Sequence, residues 1–274
     1  ALLEEVTHLC EHPIALLASF DAELLKLPRQ AIIEPMRIHQ RYFPIENEDG
    51  ELLPNFVVVA NTETRDPAVV TQGNARVLKA RLADARFFYE NDLKTDLKDF
   101  VEGGLKTRIW LKQLGTIYDK VQRLVALMPD EVSKKAAYYC KADLSSEMVG
   151  EFAKLQGEMG RVYARAAGFE EAVCEAMYEV YLPKHAGDDL PATKVGRLLA
   201  VADRMDSIVG CFGIGLKPTG SKDPYALRRQ SLGVIHILAE TGESVGDWVD
   251  RCIAVYGDKV TECRAEILDF FAER

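Results

Sequence analysis

In Gly73-Asn74-Ala75-Arg76-Val77-Leu78-Lys79-Ala80-Arg81-Leu82-Ala83-Asp84-Ala85-Arg86-Phe87-Phe88-Tyr89, the residues Leu78, Leu82, Ala85 and Tyr89 recur at i, i+4, i+7 and i+11. That spacing stacks them on one face of a helix and leaves Arg76, Lys79 and Arg86 on another. The helical period then persists. After a polar linker at 94–104, helices are predicted over 109–128, 133–156, 158–166, 170–181, 193–212, 224–241 and 245–272. Such a run with few strand signals makes the larger part of the chain all-α.

Upstream the period is different. Ile14 to Phe20 follows Pro13 and predicts a short strand, and 28–39 predicts a helix opened by Pro28. The apolar stretches 41–45 and 55–60 flank Asn47-Glu48-Asp49-Gly50, which predicts a hairpin. The expected organisation is mainly α: a small α+β module at 1–72, a helical domain at 73–215 and a further helical segment at 216–274. The opening residues Ala1 to Val6 lack a starter methionine and read as an amphipathic helix entered partway through a longer chain.

Composition narrows the function classes. With 48% hydrophobic and 28% charged residues, the 274-residue chain is ordinary globular protein, long enough for two or three packed units. No apolar run reaches the roughly 18 residues of a membrane span. The net charge of −9 opposes whole-surface attraction to nucleic acid, so any RNA contact must come from local basic patches. Cys10, Cys140, Cys174, Cys211, Cys252 and Cys263 never form C-x-x-C. They read as small buried hydrophobes in a reducing cytosol rather than as a zinc or redox motif.

Two regions carry candidate chemistry. In the loop 213–224, Asp223 is a natural N-cap and Pro224 a natural first helical residue, ahead of an inner face of Leu227, Ser231, Val234 and Leu238. The free N–H groups of that helix end, beside Lys217, Lys222, Arg228 and Arg229, would attract an anion, so the loop reads either as a phosphate contact to RNA or as a capped helix with a solvated basic end. Ser221 precedes Lys222, the reverse of the Walker order, which excludes a nucleotide-cradling P-loop. The second region is the basic run Arg76, Lys79, Arg81 and Arg86, readable either as a solvated helix face or as an RNA contact. Arg161 and Arg165 allow the same two readings. The five histidines include no H-E-x-x-H, and the pair His8 and His12 lacks a third ligand. Asp203 and Asp206 read either as an acid/base or metal pair or, with more support, as the polar edge of a helix buried through Leu198, Val201, Met205, Ile208 and Phe212. No catalytic nucleophile is assigned.

Several blocks together strongly resemble the glycyl-tRNA synthetase β-subunit family. Besides 73–89 they are Leu114 to Lys120, Lys141 to Leu144, Met148 to Phe152, Gln156 to Gly160, Ala186 to Pro191, Phe212 to Gly215, Gly220 to Arg229 and His39 to Pro44. They run in the family's order and cover about 1–240. The resemblance implies a division of labour. Glycine activation with ATP and magnesium belongs to the α subunit, and the β subunit handles tRNA and supports charging in the cytoplasm. This chain would then have no cofactor of its own, with glycine tRNA and the α subunit as partners.

The resemblance also implies that 73–215 is an HD-type helical domain, a fold otherwise used by metal-dependent phosphohydrolases. Asp203 matches that fold's last metal-binding aspartate, and Asp188 lies where another ligand is often supplied. The chain departs at the dyad, where Cys140, Lys141, Ala142 and Asp143 stand without an adjacent His-Asp, and upstream, where Thr116, Tyr118 and Asp119 replace a histidine. The expectation is a degenerate, metal-free site of Lys141, Asp143, Asp188 and Asp203, since a cation needs deprotonated or neutral donors. The connection from Met128 to Ser133 looks shorter than usual for the family, and the chain stops before the family's anticodon-binding module. The alternatives are an active HD phosphohydrolase and a structural scaffold for the α subunit.

Overall fold

A computed structural model describes residues 2–274. Its elements in order are α1 (Leu2–Leu9), β1 (Ile14–Ser19), α2 (Arg29–Glu34), β2 (Phe43–Glu46), β3 (Leu52–Ala60) and α3 (Pro67–Asp92). There follow α4 (Leu97–Asp99), β4 (Ile109–Leu111), β5 (Gly115–Thr116), α5 (Ile117–Leu127), α6 (Glu131–Tyr139) and α7 (Glu147–Glu151). The remainder is α8 (Glu158–Ala166), α9 (Glu171–Glu179), α10 (Lys194–Gly213), α11 (Leu227–Thr241), α12 (Val245–Tyr256) and α13 (Arg264–Ala272). The chain is mainly α with a small α+β part, as its patterning predicts. It divides into two compact units. The first takes the chain to Lys94 together with Glu147–Leu155, and the second comprises Thr95–Ser146 and Gln156–Arg274.

In the first unit β1 and β2 flank β3 in an antiparallel sheet, with Leu17 opposite Val57 and Val57 opposite Phe43. The β2–β3 hairpin turns as expected at Asn47 to Gly50, where Gly50 adopts φ 79° and the Asn47 side chain accepts from Glu51 N. One sheet face sends Ala18, Phe56 and Val58 into a core completed by Leu24, Leu27, Ile32, Met36, Tyr42, Leu78 and Leu82. The α3 stripe behaves as its spacing requires: Leu78, Leu82 and Ala85 are buried. The helix starts earlier than the apolar stripe shows, because Asp66 accepts from Ala68 N and Val69 N and Pro67 occupies the first turn. Residue 73, expected to open the helical domain, lies inside α3, and the contacts keep the whole of that helix with the residues before it.

In the second unit α10 is the buried axis, packed against α5, α6, α9, α11, α12 and α13. Thr193 caps it by accepting from Gly196 N. The buried Glu179 in turn accepts from Ala192 N and from the backbone and hydroxyl of Thr193.

Four expected elements differ, each for a local reason. The segment 94–104 is not a polar linker, since Leu97, Phe100 and Val101 are buried in α4 and the π-helical turn Phe100–Leu105. The helix expected from 109 begins at Ile117: Gly115 has φ 94°, and Thr116 and Asp119 form a capping box, so the preceding residues pair as β4 and β5. The helix expected over 133–156 is broken into α6, short 3₁₀ turns and α7. Asp92 receives the first N–H groups of α7 from Glu147 and Met148, at 2.8 and 3.0 Å. The helix expected over 245–272 stops at Tyr256, where Gly257 turns with φ 55°, and resumes at Arg264.

Asp92 is buried and organises the segment that returns to the first unit. Asp92→Ala leaves one buried and one half-buried N–H group without these acceptors. It is expected to lower stability by about 2–4 kcal/mol in urea denaturation followed by circular dichroism.

Candidate functional site

α10 places Asp203 and Asp206 one turn apart, and both face protein rather than forming a polar edge. Asp206 is 1% exposed, sealed by Arg123, whose Nε and Nη2 donate at 2.6 and 3.2 Å. The Lys120 ammonium lies 3.2 Å from Asp203 Oδ1 and 3.2 Å from Asp206 Oδ2, and donates to Ser207 Oγ and to the Asp203 carbonyl. Lys141 approaches from the end of α6 and donates to Asp203 Oδ2 at 3.1 Å, with its ammonium 4.1 Å from the Tyr181 ring centroid. Trp110 and Tyr256 face the Arg123 guanidinium, and Trp110 also faces Lys120.

The electrostatics follow from burial and pairing. Burial alone would raise the Asp203 carboxyl, but Lys120 and Lys141 overcome it and hold the group well below the usual carboxylate range. Burial likewise disfavours the Lys120 ammonium, which Asp203 and Asp206 more than restore. Asp143 is the opposite case. Its Oδ2 accepts from Gly157 N at 2.5 Å and Gly160 N at 3.2 Å, anchoring the start of α8, while Oδ1 has no hydrogen-bond partner among the described residues. Burial dominates, and the carboxyl is pushed up to about 6. Gly157 has φ 83°, and a Cβ there would lie 2.6 Å from the Tyr181 ring, so a glycine is required at this approach. Burial also raises Tyr181, and it pushes the Cys140 thiol up to about 12, so Cys140 is an inert core thiol.

The structure therefore gathers Lys141, Asp143 and Asp203 into one buried neighbourhood, but Asp188 stays in the loop after α9, where it accepts from Lys184 N at 2.6 Å. Among the described residues no three His, Cys, Asp or Glu side chains converge as metal ligands. The donor chemistry does not fit a divalent ion: both Asp203 oxygens face ammonium groups, and Asp143 Oδ2 is taken by backbone N–H groups. Sequence reasoning missed Lys120, Arg123 and Tyr256. Lys120 leads Leu124 and Leu127 at i, i+4 and i+7, and a cation inside an apolar stripe is the signal that could have found it.

The candidate cationic residues fall into two groups, one on each unit. On α3, Arg76, Lys79 and Arg86 are exposed and lie on one flank, whereas Arg81 is half-buried on the other. Arg86 lies 3.9 Å from Glu90, and Arg76 and Lys79 have no carboxylate partner among the described residues. In the loop before α11, Lys222 is exposed at a tight turn with Thr219, and Lys217 is paired with Glu266 at 2.5 Å. α11 begins at Leu227, not Pro224, because Ala226 adopts a left-handed φ of 54°. Asp223 still caps it, accepting from Leu227 N at 2.8 Å and Arg228 N at 2.9 Å. Those two N–H groups are thus committed to Asp223, and the attraction for an anion rests on Lys222, half-buried Arg228 and exposed Arg229. Arg161 and Arg165 are tied to Glu158, Glu171 and Glu175.

Comparison with known proteins adds an independent line. The family model described as "Glycyl-tRNA synthetase beta subunit" matches residues 1–274. The whole chain aligns at 47% identity with the glycine–tRNA ligase beta subunits of Geobacter metallireducens and Syntrophus aciditrophicus. It aligns at the same identity with that of Clostridioides difficile. The chain spans 42% of the length of each of these relatives.

Two outcomes test the buried cluster. Lys120→Met leaves two buried carboxylates undercompensated and is expected to cost about 3–5 kcal/mol in urea denaturation, with part recovered in the double variant carrying Asp203→Asn. Asp143 binds its proton more tightly folded than unfolded, since about 6 exceeds the ordinary value of 3.8. Its contribution is therefore fully present below pH ~4 and lost as pH rises through about 6. Between pH 4 and 7 the stability of the wild type relative to Asp143→Asn is expected to fall by about 2–3 kcal/mol, read from paired denaturation curves.

Proposed function

Because the chain belongs to the glycyl-tRNA synthetase β-subunit family, we propose that it is a tRNA-handling, non-catalytic part of glycine–tRNA ligase. In this reading it supports aminoacylation of glycine tRNA in the cytoplasm, while the α subunit carries glycine activation with ATP and magnesium. One observation carries the reading: the buried centre is neutralised from within by lysines and an arginine, while other cations lie outside without carboxylate partners. Asp203 and Asp206 meet Lys120, Lys141 and Arg123 in the interior. Arg76, Lys79, Lys222 and Arg229 are exposed, with no ion-pair partner among the described residues. In a chain of net charge −9, such residues supply the local positive potential that a phosphate backbone needs. The HD-type region then acts as a scaffold that holds shape without resident metal; α3 in the first unit and the loop before α11 in the second each offer cations to RNA.

Filter binding of a glycine tRNA transcript to the chain at 50–200 mM salt tests this. Affinity is expected to fall steeply with salt. Arg76→Glu with Lys79→Glu, and Arg228→Glu with Arg229→Glu, are each expected to weaken binding about tenfold or more and to flatten the salt slope by about two. Binding indifferent to both pairs would remove these faces from the RNA surface. No binding at low salt would defeat the reading itself.

A further inference from the structure

From Ile109 onward the segment Lys106-Thr107-Arg108-Ile109-Trp110-Leu111-Lys112-Gln113 is not the helix that its sequence predicts. It enters and forms the β4–β5 ribbon, whose inner side is firmly held. Leu111 and Leu114 are buried, and the Trp110 ring lies 4.5 Å from the buried Lys120 ammonium. The outer side is unlike that anchor. Ile109 is 72% exposed, the most exposed large apolar side chain among the described residues.

Three cations flank it in sequence, and a fourth lies just beyond α12. Lys106, Arg108, Lys112 and Lys259 are all exposed. Contacts tie two of them to the turn from β5 into α5, and Lys259 acts there through its charge. The Arg108 carbonyl accepts from Ile117 N at 2.8 Å, and the Lys106 ammonium lies 4.8 Å from the Tyr118 ring. Lys259, just beyond α12, is close enough to Asp119 to help lower its carboxyl, an effect led by the hydrogen bond from Thr116 N. Two carboxylates of this region are already engaged. Asp119 closes the capping box with Thr116, and Glu102 serves Lys98, Lys106 and Tyr138. Arg108 and Lys112 have no carboxylate partner among the described residues.

We propose that the β4–β5 ribbon is a further RNA-gripping surface, with Arg108, Lys112 and Lys259 on phosphates and Ile109 packed against a sugar or base edge between them. The inference rests on the tRNA-handling reading and adds a surface separate in sequence from α3 and the loop before α11. A polyanion suits the patch better than a folded protein partner. It supplies repeated negative charge to cations from two separate stretches of chain, and an unstacked base offers an apolar face to Ile109. The buried inner anchor means that little backbone freedom is lost on contact.

The test uses the whole chain and a glycine tRNA transcript. Arg108→Glu with Lys112→Glu is expected to weaken filter binding at least about tenfold at 100 mM salt and to flatten the salt slope by about two. The thermal midpoint is expected to hold, since both side chains are exposed. Independently, a photoreactive side chain at position 109 (Ile109→p-benzoylphenylalanine) is expected to crosslink to the transcript. Wild-type binding that survives the double reversal within twofold, or a crosslinker that labels only polypeptide, overturns the ribbon surface while the tRNA-handling reading stands. A wild-type chain that binds no tRNA at low salt overturns both.

Discussion

Two carboxylates in the interior of α10 set the terms for the second unit. Asp203 and Asp206 cannot be sheltered from water as anions unless positive charge comes with them, since an uncompensated buried charge costs several kcal/mol. Lys120 and Arg123 from α5 and Lys141 from the end of α6 provide it, so three helices are fixed relative to one another by a single charge constraint. The remaining donors in the cluster are used on backbone and hydroxyl acceptors, and Tyr256 Oη donates to the Asp206 carbonyl to bring in α12. Hydrophobic burial along α10 gives that packing its strength, and the charged cluster gives it its register.

This arrangement keeps an acidic centre inside the protein by meeting each carboxylate with a cation. An aspartate at a helix core is a liability when its cation is lost, and an ammonium on a four-carbon stem is a substitute that the chain encodes itself. Lysine fills the charge requirement but offers no open coordination position and no activated water. The two acidic side chains are thus held as structural members of the packing.

Much of this was legible in the sequence. The hairpin at Asn47 to Gly50, the α3 stripe and the helices α8, α9 and α10 follow from turn residues and apolar spacing. What the spacing concealed were interruptions decided by single backbone positions. Gly115, Ala226 and Gly257 take positive φ, and each stops or delays a helix whose apolar pattern reads as continuous. The candidate site was half legible: Lys141 and Asp203 were linked through the family resemblance, yet Asp206 read as surface. Its partners Lys120 and Arg123 lie about eighty residues away, and although Lys120 interrupts an apolar stripe, the spacing does not say which carboxylate it meets.

The excursion of Glu147–Leu155 into the first unit bears on how the protein is made. A chain emerging from the ribosome has its sheet, its hairpin and α3 available once Lys94 is out, but the acceptor on Asp92 waits for N–H groups more than fifty residues downstream. The first unit therefore cannot finish folding in order of synthesis. It stays incomplete while α4 to α6 appear, until Glu147–Leu155 have been synthesised.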